Sequence, residues 1–294
     1  MTFQENQVYL KTSDLKISYK TSPHGSIPLI AVHGWLDNAN SFDFLAPHLD
    51  KKIKLYALDL PGHGLSDHNK KGADYLFSLG VQQLIELTEI LGLESFHLLG
   101  HSLGAALTSL VAGVIPKKIK TLTLIEGLGP ITYPKEDLPQ KILHNLKMKK
   151  HRITAQKPLY KSEEEGALDR HKKTDLSYES ALSLAQRGLG KINDKQYTWL
   201  SDPKLLIPPL HPFTEDQVSE FLKKITSPTL VVLGKNGLKF VHEAMEKRLK
   251  LLTQKKVLSY PGGHHVHMEQ PIKIAQAINS HLIKKTFKSP LSTL

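Results

Sequence analysis

The sequence predicts an α/β protein with a mostly parallel, doubly wound sheet that carries helices on both faces. Apolar runs with strand character alternate with longer segments in which apolar residues recur at helical spacing, as is typical of this class. One strand-to-helix junction holds the peptide Gly100-His101-Ser102-Leu103-Gly104, a pattern found on sharp turns between a strand and a helix. At 294 residues the chain is long enough for one such domain with an inserted subdomain.

The first part of the chain supplies most of the predicted sheet. Two short runs flank Ser13-Asp14 and predict a hairpin. A helix is predicted over residues 76–91, where leucines recur at helical spacing and Gly92 marks the end. A second helix is predicted over residues 105–112. The predicted strands span residues 8–12, 15–19, 28–32, 53–60, 96–99 and 119–126.

The alternation of strands and helices stops between about residues 127 and 226 and then resumes. This stretch is rich in Lys, Glu, Leu, Gln and Pro, which predicts short helices joined by loops and no series of strands. Strands are predicted again over residues 228–234 and 256–260, followed by a helix over 271–283. We therefore predict a core of residues 1–126 and 227–294, with a helical cap of residues 127–226 over the carboxyl ends of the strands, where open α/β sheets bind ligands.

Composition bounds the partners and the compartment. The formal net charge is +11, but the densest basic cluster, residues 147–152, has no aromatic side chains that could stack on bases, so we expect no nucleic-acid binding. The chain has no cysteine and no apolar run near the ~20 residues that span a bilayer. The N-terminus lacks the features of a signal peptide. We expect a soluble, cytoplasmic protein; the tail Ser292-Thr293-Leu294 is similar to a peroxisomal signal but lacks its basic middle residue.

The turn at Ser102 predicts a nucleophile. Glycines on either side let a tight turn close against its neighbours, and the turn exposes the serine hydroxyl above the start of a helix. The amide of Leu103, directly after the serine, is then aimed at the position where an oxyanion would form. An unassisted serine hydroxyl is a poor nucleophile, so a base within hydrogen-bond reach is required.

Four motifs in order resemble the α/β-hydrolase superfamily. They are His33-Gly34-Trp35, the run from Asp59 to Ser66 (DLPGHGLS), the peptide around Ser102, and Gly263-His264. The fuller patterns HGWLDNA at residues 33–39 and GHHVHMEQP at residues 263–271 resemble the serine hydrolase-like (kraken-type) family of probable serine hydrolases. The resemblance covers roughly residues 1–130 and 227–285. It implies the α/β-hydrolase fold, and it leaves the cap, and with it the substrate preference, unassigned.

The resemblance implies a base and a second oxyanion donor. In the superfamily a Glu five residues and a Pro seven residues after the catalytic histidine are frequent, and Glu269 and Pro271 stand at those offsets from His264. His264 is therefore the expected base. His265 and His267 are the alternatives, and we interpret them as residues of the loop or of the pocket wall. The backbone amide of Trp35, after the His33-Gly34 pair, is the expected second oxyanion donor.

The acid departs from the family pattern. Most members carry an aspartate shortly after the strand that ends at Gly234, but Gly237 stands there in this sequence. Either the triad is incomplete or the acid comes from elsewhere. Haloalkane dehalogenases of the same superfamily include members with their acid at the end of the strand after the elbow helix, and Glu126 lies at that point. We expect Glu126 to be the acid; the alternative is that it caps the loop or pairs with a lysine of the cap.

These features predict a serine hydrolase that cleaves carboxylic esters through an acyl-enzyme, with Ser102, His264 and Glu126 as the triad. The alternative is a catalytically weak or non-enzymatic ligand-binding protein on the same scaffold. The expected partner is a small ester-like substrate, and no cofactor or metal is called for, because the neighbouring histidines lack a partner motif. The oligomeric state and the roles of Asp37 and Asn38 are left open.

Overall fold

An eight-stranded sheet forms the centre of the computed structural model, which describes residues 2–154 and 156–283. Its strands are β1 (Gln4–Leu10), β2 (Leu15–Thr21), β3 (Ile27–Val32), β4 (Ile53–Leu58), β5 (Phe96–His101), β6 (Ile119–Ile125), β9 (Thr229–Gly234) and β10 (Lys255–Tyr260), in the order β1-β2-β4-β3-β5-β6-β9-β10. The hairpin β1–β2 is antiparallel, and β2 pairs antiparallel with β4. From β4 to β10 all neighbours are parallel, which confirms the predicted fold class.

Helices cover both faces of this sheet. The helices of the core are α1 (Phe77–Ile90), α2 (Leu103–Val114), α7 (Lys239–Leu249), α8 (Val266–Glu269) and α9 (Pro271–Ile283). Successive strand residues point to opposite faces, so Leu98 packs in the layer that holds α1 and α2, while Leu99 packs in the layer that holds α9. Because both faces of the sheet are buried, the sequences of the central strands are continuous apolar runs.

The inserted segment between β6 and β9 is mostly helical. It contains α3 (Leu138–Thr154), α4 (Glu163–Lys173), α5 (Tyr178–Gly188) and α6 (Glu215–Lys223). It also contains a feature that was not predicted, because β7 (Leu189–Asn193) and β8 (Gln196–Trp199) pair as an antiparallel hairpin. Their short sequences carry little apolar alternation, since the hairpin is only half-buried and lies outside the main sheet.

The segment contacts the loops at the carboxyl ends of the central strands. The indole Nε1 of Trp35, just after β3, donates to the carbonyl of Leu205 at 2.9 Å. The carboxylate of Asp175, between α4 and α5, accepts from the backbone amide of His264 at 2.5 Å. The segment therefore lies over the edge of the sheet where the turn at Ser102 opens.

Two further predictions concern membrane-spanning helices and the C-terminal tail. Among residues 2–154 and 156–283, none of the helices combines the length and the apolar character needed to cross a lipid bilayer. The tail Ser292-Thr293-Leu294, which suggested a peroxisomal signal, lies outside the described residues.

Candidate active site

Ser102 occupies a strained turn between β5 and α2. Its φ of 51° and ψ of −113° lie outside the regions that non-glycine residues favour, and such strain is characteristic of functional turns. The turn closes only because its neighbours lack side chains. A Cβ at position 104 would overlap the backbone carbonyl of Val32 in β3, and one at position 100 would lie 2.5 Å from the carbonyl oxygen of Gly104.

His264 lies on the loop between β10 and α8 and contacts both of its expected partners. Its Nε2 is 2.8 Å from Oγ of Ser102. Its Nδ1 is 3.2 Å from Oε2 of Glu126. With Nδ1–H donated to the carboxylate, the lone pair of Nε2 is free to accept the serine proton. The arrangement is one in which a hydroxyl, an imidazole and a carboxylate can perform acyl transfer.

Glu126 directly follows β6, is fully buried and has a φ of 52°. Its Oε1 accepts from the backbone amide of Gly234 at 2.7 Å and lies 2.9 Å from Nε2 of His242. Burial raises the pKa of Glu126, but hydrogen bonds from His264, His242 and the Gly234 amide outweigh it and lower the pKa below its ordinary value. The carboxylate is therefore ionised at neutral pH and can stabilise an imidazolium.

The two expected oxyanion donors lie on adjoining loops. Leu103 is the first residue of α2, so its amide sits at the positive end of the helix next to Ser102. Trp35 begins the loop after β3, and the following residue, Leu36, has a φ of 60°. An ideal Cβ at Gly34 would lie 2.8 Å from Nδ1 of His101, so this loop passes directly beside the turn at Ser102.

His33 fixes the backbone of this loop and transfers no proton to Ser102 in this geometry. Its Nδ1–H donates to the carbonyl of Gly34 at 2.7 Å, and its Nε2 accepts from the amide of Leu60 at 3.0 Å. Burial lowers the pKa of His33 to about 4, so the ring is neutral at pH 7. Nearby, the side chain of Asn38 accepts from the amide of Asn40 at 3.0 Å and donates to the cap at Leu184.

Behind Ser102 and His264 lies a second group of polar side chains. Asp37 is buried, and its Oδ1 is 2.5 Å from Nη2 of Arg170 on α4. His265 places Nδ1 2.9 Å from Oδ1 of Asp175 and Nε2 3.6 Å from Oδ2 of Asp37. Burial lowers the pKa of His265, but the two carboxylates raise it to about 9. His101 contacts Asp37 from the other side, and burial lowers its pKa to about 4.

Sequence reasoning missed His242 and Asp175. His242 lies on α7, a helix that the sequence analysis did not predict, and no motif surrounds it. Asp175 lies in the inserted segment, which carries no recognisable pattern. His101 is part of the serine motif, but the orientation of its side chain toward Asp37 depends on the tertiary structure. His267 donates to or accepts from Oγ of Ser41 at 2.8 Å and is buried in the wall of the loop.

An apolar cavity lies beside the first turn of α2, between α1 and the inserted segment. The side chain of Leu103 forms part of its wall, and Leu205 of the inserted segment closes it from above. Its other lining includes the apolar residues Leu60, Pro61, Leu76, Phe77 and Leu107, together with Tyr75, Gly80 and the polar side chains of His63, Asn69 and Gln83. The space suits a hydrocarbon chain more than a charged group.

The fold and the site define an α/β hydrolase, and comparisons with known proteins agree. The family described as the alpha/beta hydrolase fold matches residues 27–152. A probable serine hydrolase of Drosophila melanogaster is 30% identical over 85% of this chain and 79% of the relative. A serine hydrolase-like protein of Dictyostelium discoideum is 28% identical over 85% of this chain and 73% of the relative. The chain belongs to the serine hydrolase-like family of α/β hydrolases.

Solved structures give the same result. A hypothetical protein of Pseudomonas aeruginosa PAO1 is 36% identical, with a TM-score of 0.86 over 95% of this chain and 97% of that chain. A thioesterase domain from the curacin biosynthetic pathway is 25% identical, with a TM-score of 0.80 over 95% of this chain and 99% of that chain. Together with the named relatives, these likenesses support a hydrolase.

Proposed function

We propose that the protein is a serine hydrolase that cleaves carboxylic esters of small molecules through an acyl-enzyme, with Ser102, His264 and Glu126 as its triad. The single observation that carries this proposal is the pair of contacts made by one imidazole. Nε2 of His264 lies 2.8 Å from Oγ of Ser102, and Nδ1 lies 3.2 Å from the buried carboxylate of Glu126. A ligand-binding protein on this scaffold would need neither contact.

The mechanism follows from the positions of these groups. Oγ of Ser102 attacks the ester carbonyl while Nε2 of His264 takes its proton, and the ionised Glu126 stabilises the imidazolium. The amides of Leu103 and Trp35 stabilise the oxyanion of the tetrahedral intermediate. His264 then returns the proton to the leaving alcohol. Water, deprotonated by the same histidine, hydrolyses the acyl-enzyme and releases the acid.

Two observations support acyl transfer to an apolar substrate. The cavity lined by Leu103, Leu107 and Leu205 adjoins the turn that carries the serine, and it can take a hydrocarbon chain. The structurally similar thioesterase domain from the curacin biosynthetic pathway is named for hydrolysis of a related acyl bond. The substrate we propose is therefore an ester with an apolar acyl or alcohol part.

Covalent labelling tests the proposal directly. A fluorophosphonate probe should modify the wild-type protein at Ser102, and nitrophenyl esters of graded acyl length should be hydrolysed. Ser102→Ala should lose the labelling and about three to six orders of magnitude in kcat, because the nucleophile is gone. Ser78→Ala, which removes an exposed hydroxyl on α1, is the matched control and should behave as wild type. Absence of labelling and turnover in the wild type would favour the ligand-binding alternative.

A further inference from the structure

Three atoms of the kind that ligate metals converge behind the catalytic pair. They are Oδ2 of Asp37, Nδ1 of His101 and Nε2 of His265, all buried and within 4.8 Å of one another. Oδ2 of Asp37 is 3.4 Å from Nδ1 of His101 and 3.6 Å from Nε2 of His265. Two ligands at about 2.0 Å from a tetrahedral ion are separated by about 3.3 Å, which is close to both distances.

Two of these atoms are acceptors that face each other with no donor between them. Nε2–H of His101 donates to the carbonyl of His264 at 3.0 Å, so the neutral ring presents a lone pair at Nδ1. That lone pair faces a carboxylate oxygen of Asp37. Within residues 2–154 and 156–283 neither atom has a hydrogen-bond partner. Such a buried pair is unfavourable, and a cation between the two atoms would convert the repulsion into attraction.

The surroundings hold each of these side chains by its other end. Nδ1 of His265 lies 2.9 Å from the carboxylate of Asp175, and Nε2 of His101 binds a backbone carbonyl. Oδ1 of Asp37 is bound by Arg170 at 2.5 Å, which leaves Oδ2 directed at the histidines. Histidines that bind metals usually donate their second nitrogen to a carboxylate or a carbonyl, which orients the ring with its ligating nitrogen toward the ion. In His265, whose pKa the carboxylates of Asp37 and Asp175 raise, a bound ion would displace the proton of Nε2.

The loop after β3 packs tightly against this group. The backbone of Gly34 passes beside it, and a Cβ there would lie 2.8 Å both from Oδ2 of Asp37 and from Nδ1 of His101. The side chain of His265 is 10% exposed and that of Asp175 is 40% exposed, so the group is nearest to solvent at these two residues.

We propose that Asp37, His101 and His265 form a site for one divalent transition-metal ion, with Zn²⁺ as the ion that two imidazoles and a carboxylate favour. From the sequence no metal was expected, because the histidines of residues 264–267 had no partner motif; the partners come from the loop after β3 and from the end of β5. A bound ion would connect the loop after β3, the turn at Ser102 and the loop of His264. The site takes no part in the proposed hydrolysis step, so it stands independently of that proposal.

Metal titration of the full-length protein tests this site. After chelator treatment and removal of the chelator, the protein is titrated with Co²⁺, whose visible absorption reports its coordination, and then with Zn²⁺ in competition. We expect one ion per chain. Asp37→Asn and His265→Gln should each lower the Co²⁺ affinity by about 100-fold, and Asp175→Asn by about tenfold, since it only orients His265. His24→Gln, at an exposed histidine, should leave the affinity unchanged.

Each other outcome overturns the proposal. Wild-type protein that shows no saturable binding below about 1 mM has no such site. Unchanged affinity in His265→Gln places the ion elsewhere, and this variant keeps the test valid if Asp37→Asn fails to fold. Ser102→Ala should retain the Co²⁺ affinity, because the proposed ligands do not include the catalytic pair; loss of binding in that variant would assign the ion to Ser102 and His264.

Discussion

The carboxylate of Glu126 occupies the space that a side chain at position 237 would fill. A Cβ built on Gly237 would overlap Oε2 of Glu126. Gly237 stands where the resemblance to other α/β hydrolases leads one to expect an aspartate. The missing aspartate after β9 and the buried glutamate after β6 are therefore two parts of one arrangement. A carboxylate reaches His264 from β6 only if position 237 carries no side chain.

Glu126→Gln should lower kcat for ester hydrolysis by about three to four orders of magnitude. The amide can stabilise the wrong tautomer of His264, and it cannot balance the charge of the imidazolium. Steady-state kinetics on a nitrophenyl ester measures the effect. Glu243→Gln is the matched control, since that carboxylate lies on α7 with a side chain 65% exposed. Equal activity of the two variants would rule out Glu126 as the acid.

Moving the acid from Glu126 to position 237 gives a second test. Gly237→Asp alone should destabilise the protein, because the new side chain overlaps Glu126. Glu126→Gly alone should lose activity, although glycine suits its φ of 52°. The double variant should recover part of that activity, because the carboxylate can again approach His264. Additive effects of the two substitutions on kcat would contradict the shared-space relationship.

Asp175→Asn should lower kcat by about 10- to 100-fold with little change in KM. Its two oxygens accept from the backbone amide of His264 at 2.5 Å and contact Nδ1 of His265 at 2.9 Å. An amide has one acceptor atom for two donors, so the loop of His264 loses one of its fixings, and small displacements of a catalytic group are costly. Asp194→Asn, at an exposed aspartate of the same segment, should have wild-type kinetics. A merely structural role would lower the melting temperature and leave kcat per folded molecule unchanged.

Arg187→Met should lower the free energy of unfolding by about 3–5 kcal/mol. Nε of Arg187, on α5, lies 3.1 and 2.9 Å from the two carboxylate oxygens of Asp59, which is fully buried in the core. Removing the guanidinium leaves a buried charge without its partner. Urea unfolding measures the loss. Lys191→Met, whose ammonium group is half-exposed in the hairpin of the same segment, should change stability by less than about 1 kcal/mol.

Stability should fall as the pH drops from about 6.5 to 4. Burial lowers the pKa of His33 to about 4, of His63 to about 3 and of His97 to about 4. Below about pH 6.5 the unfolded chain binds protons that these folded histidines do not, so each contributes a slope of up to about 1.4 kcal/mol per pH unit. The contribution to stability that acidification removes in this way is fully present above pH 6.5.

Substitution at one of these histidines isolates its share of the slope. In His97→Gln the dependence of the free energy of unfolding on pH should decrease by about one proton between pH 4 and 6.5. Nδ1 of His97 is hydrogen-bonded to Oγ1 of Thr121 at 2.8 Å, at the opposite end of β5 from Ser102, so the site is not disturbed. His24→Gln, at an exposed position, is the control and should keep the wild-type slope. An unchanged slope in His97→Gln would contradict the prediction.

The local features of the fold were predictable from the sequence. The strand and helix periods, the stop at Gly92 and the turn around Ser102 depend on residues close together in the chain. The strands of the main sheet are found where apolar runs predict them, with ends that shift by a few residues. The helix over Lys239–Leu249 and the hairpin of the inserted segment were missed, because neither carries a strong period.

The candidate site also combines features that local sequence predicts with features that only the tertiary structure provides. Ser102, His264 and Glu126 could be named from motifs and from the glycine at position 237. What brings them within hydrogen-bond reach is the parallel order of β5, β6, β9 and β10, which puts the carboxyl ends of the strands before Ser102, Glu126 and His264 at one edge.

The sequence by itself determined the class of fold, the candidate nucleophile Ser102 and the absence of an aspartate after β9, because each depends on a short pattern with a fixed geometry. Only the tertiary structure decided that Asp175 holds the loop of His264 and that Asp37, His101 and His265 converge. These contacts join residues that are far apart in the chain and belong to different strands and loops. Their distances depend on how the sheet and the inserted segment pack, and no local pattern of residue types records that packing.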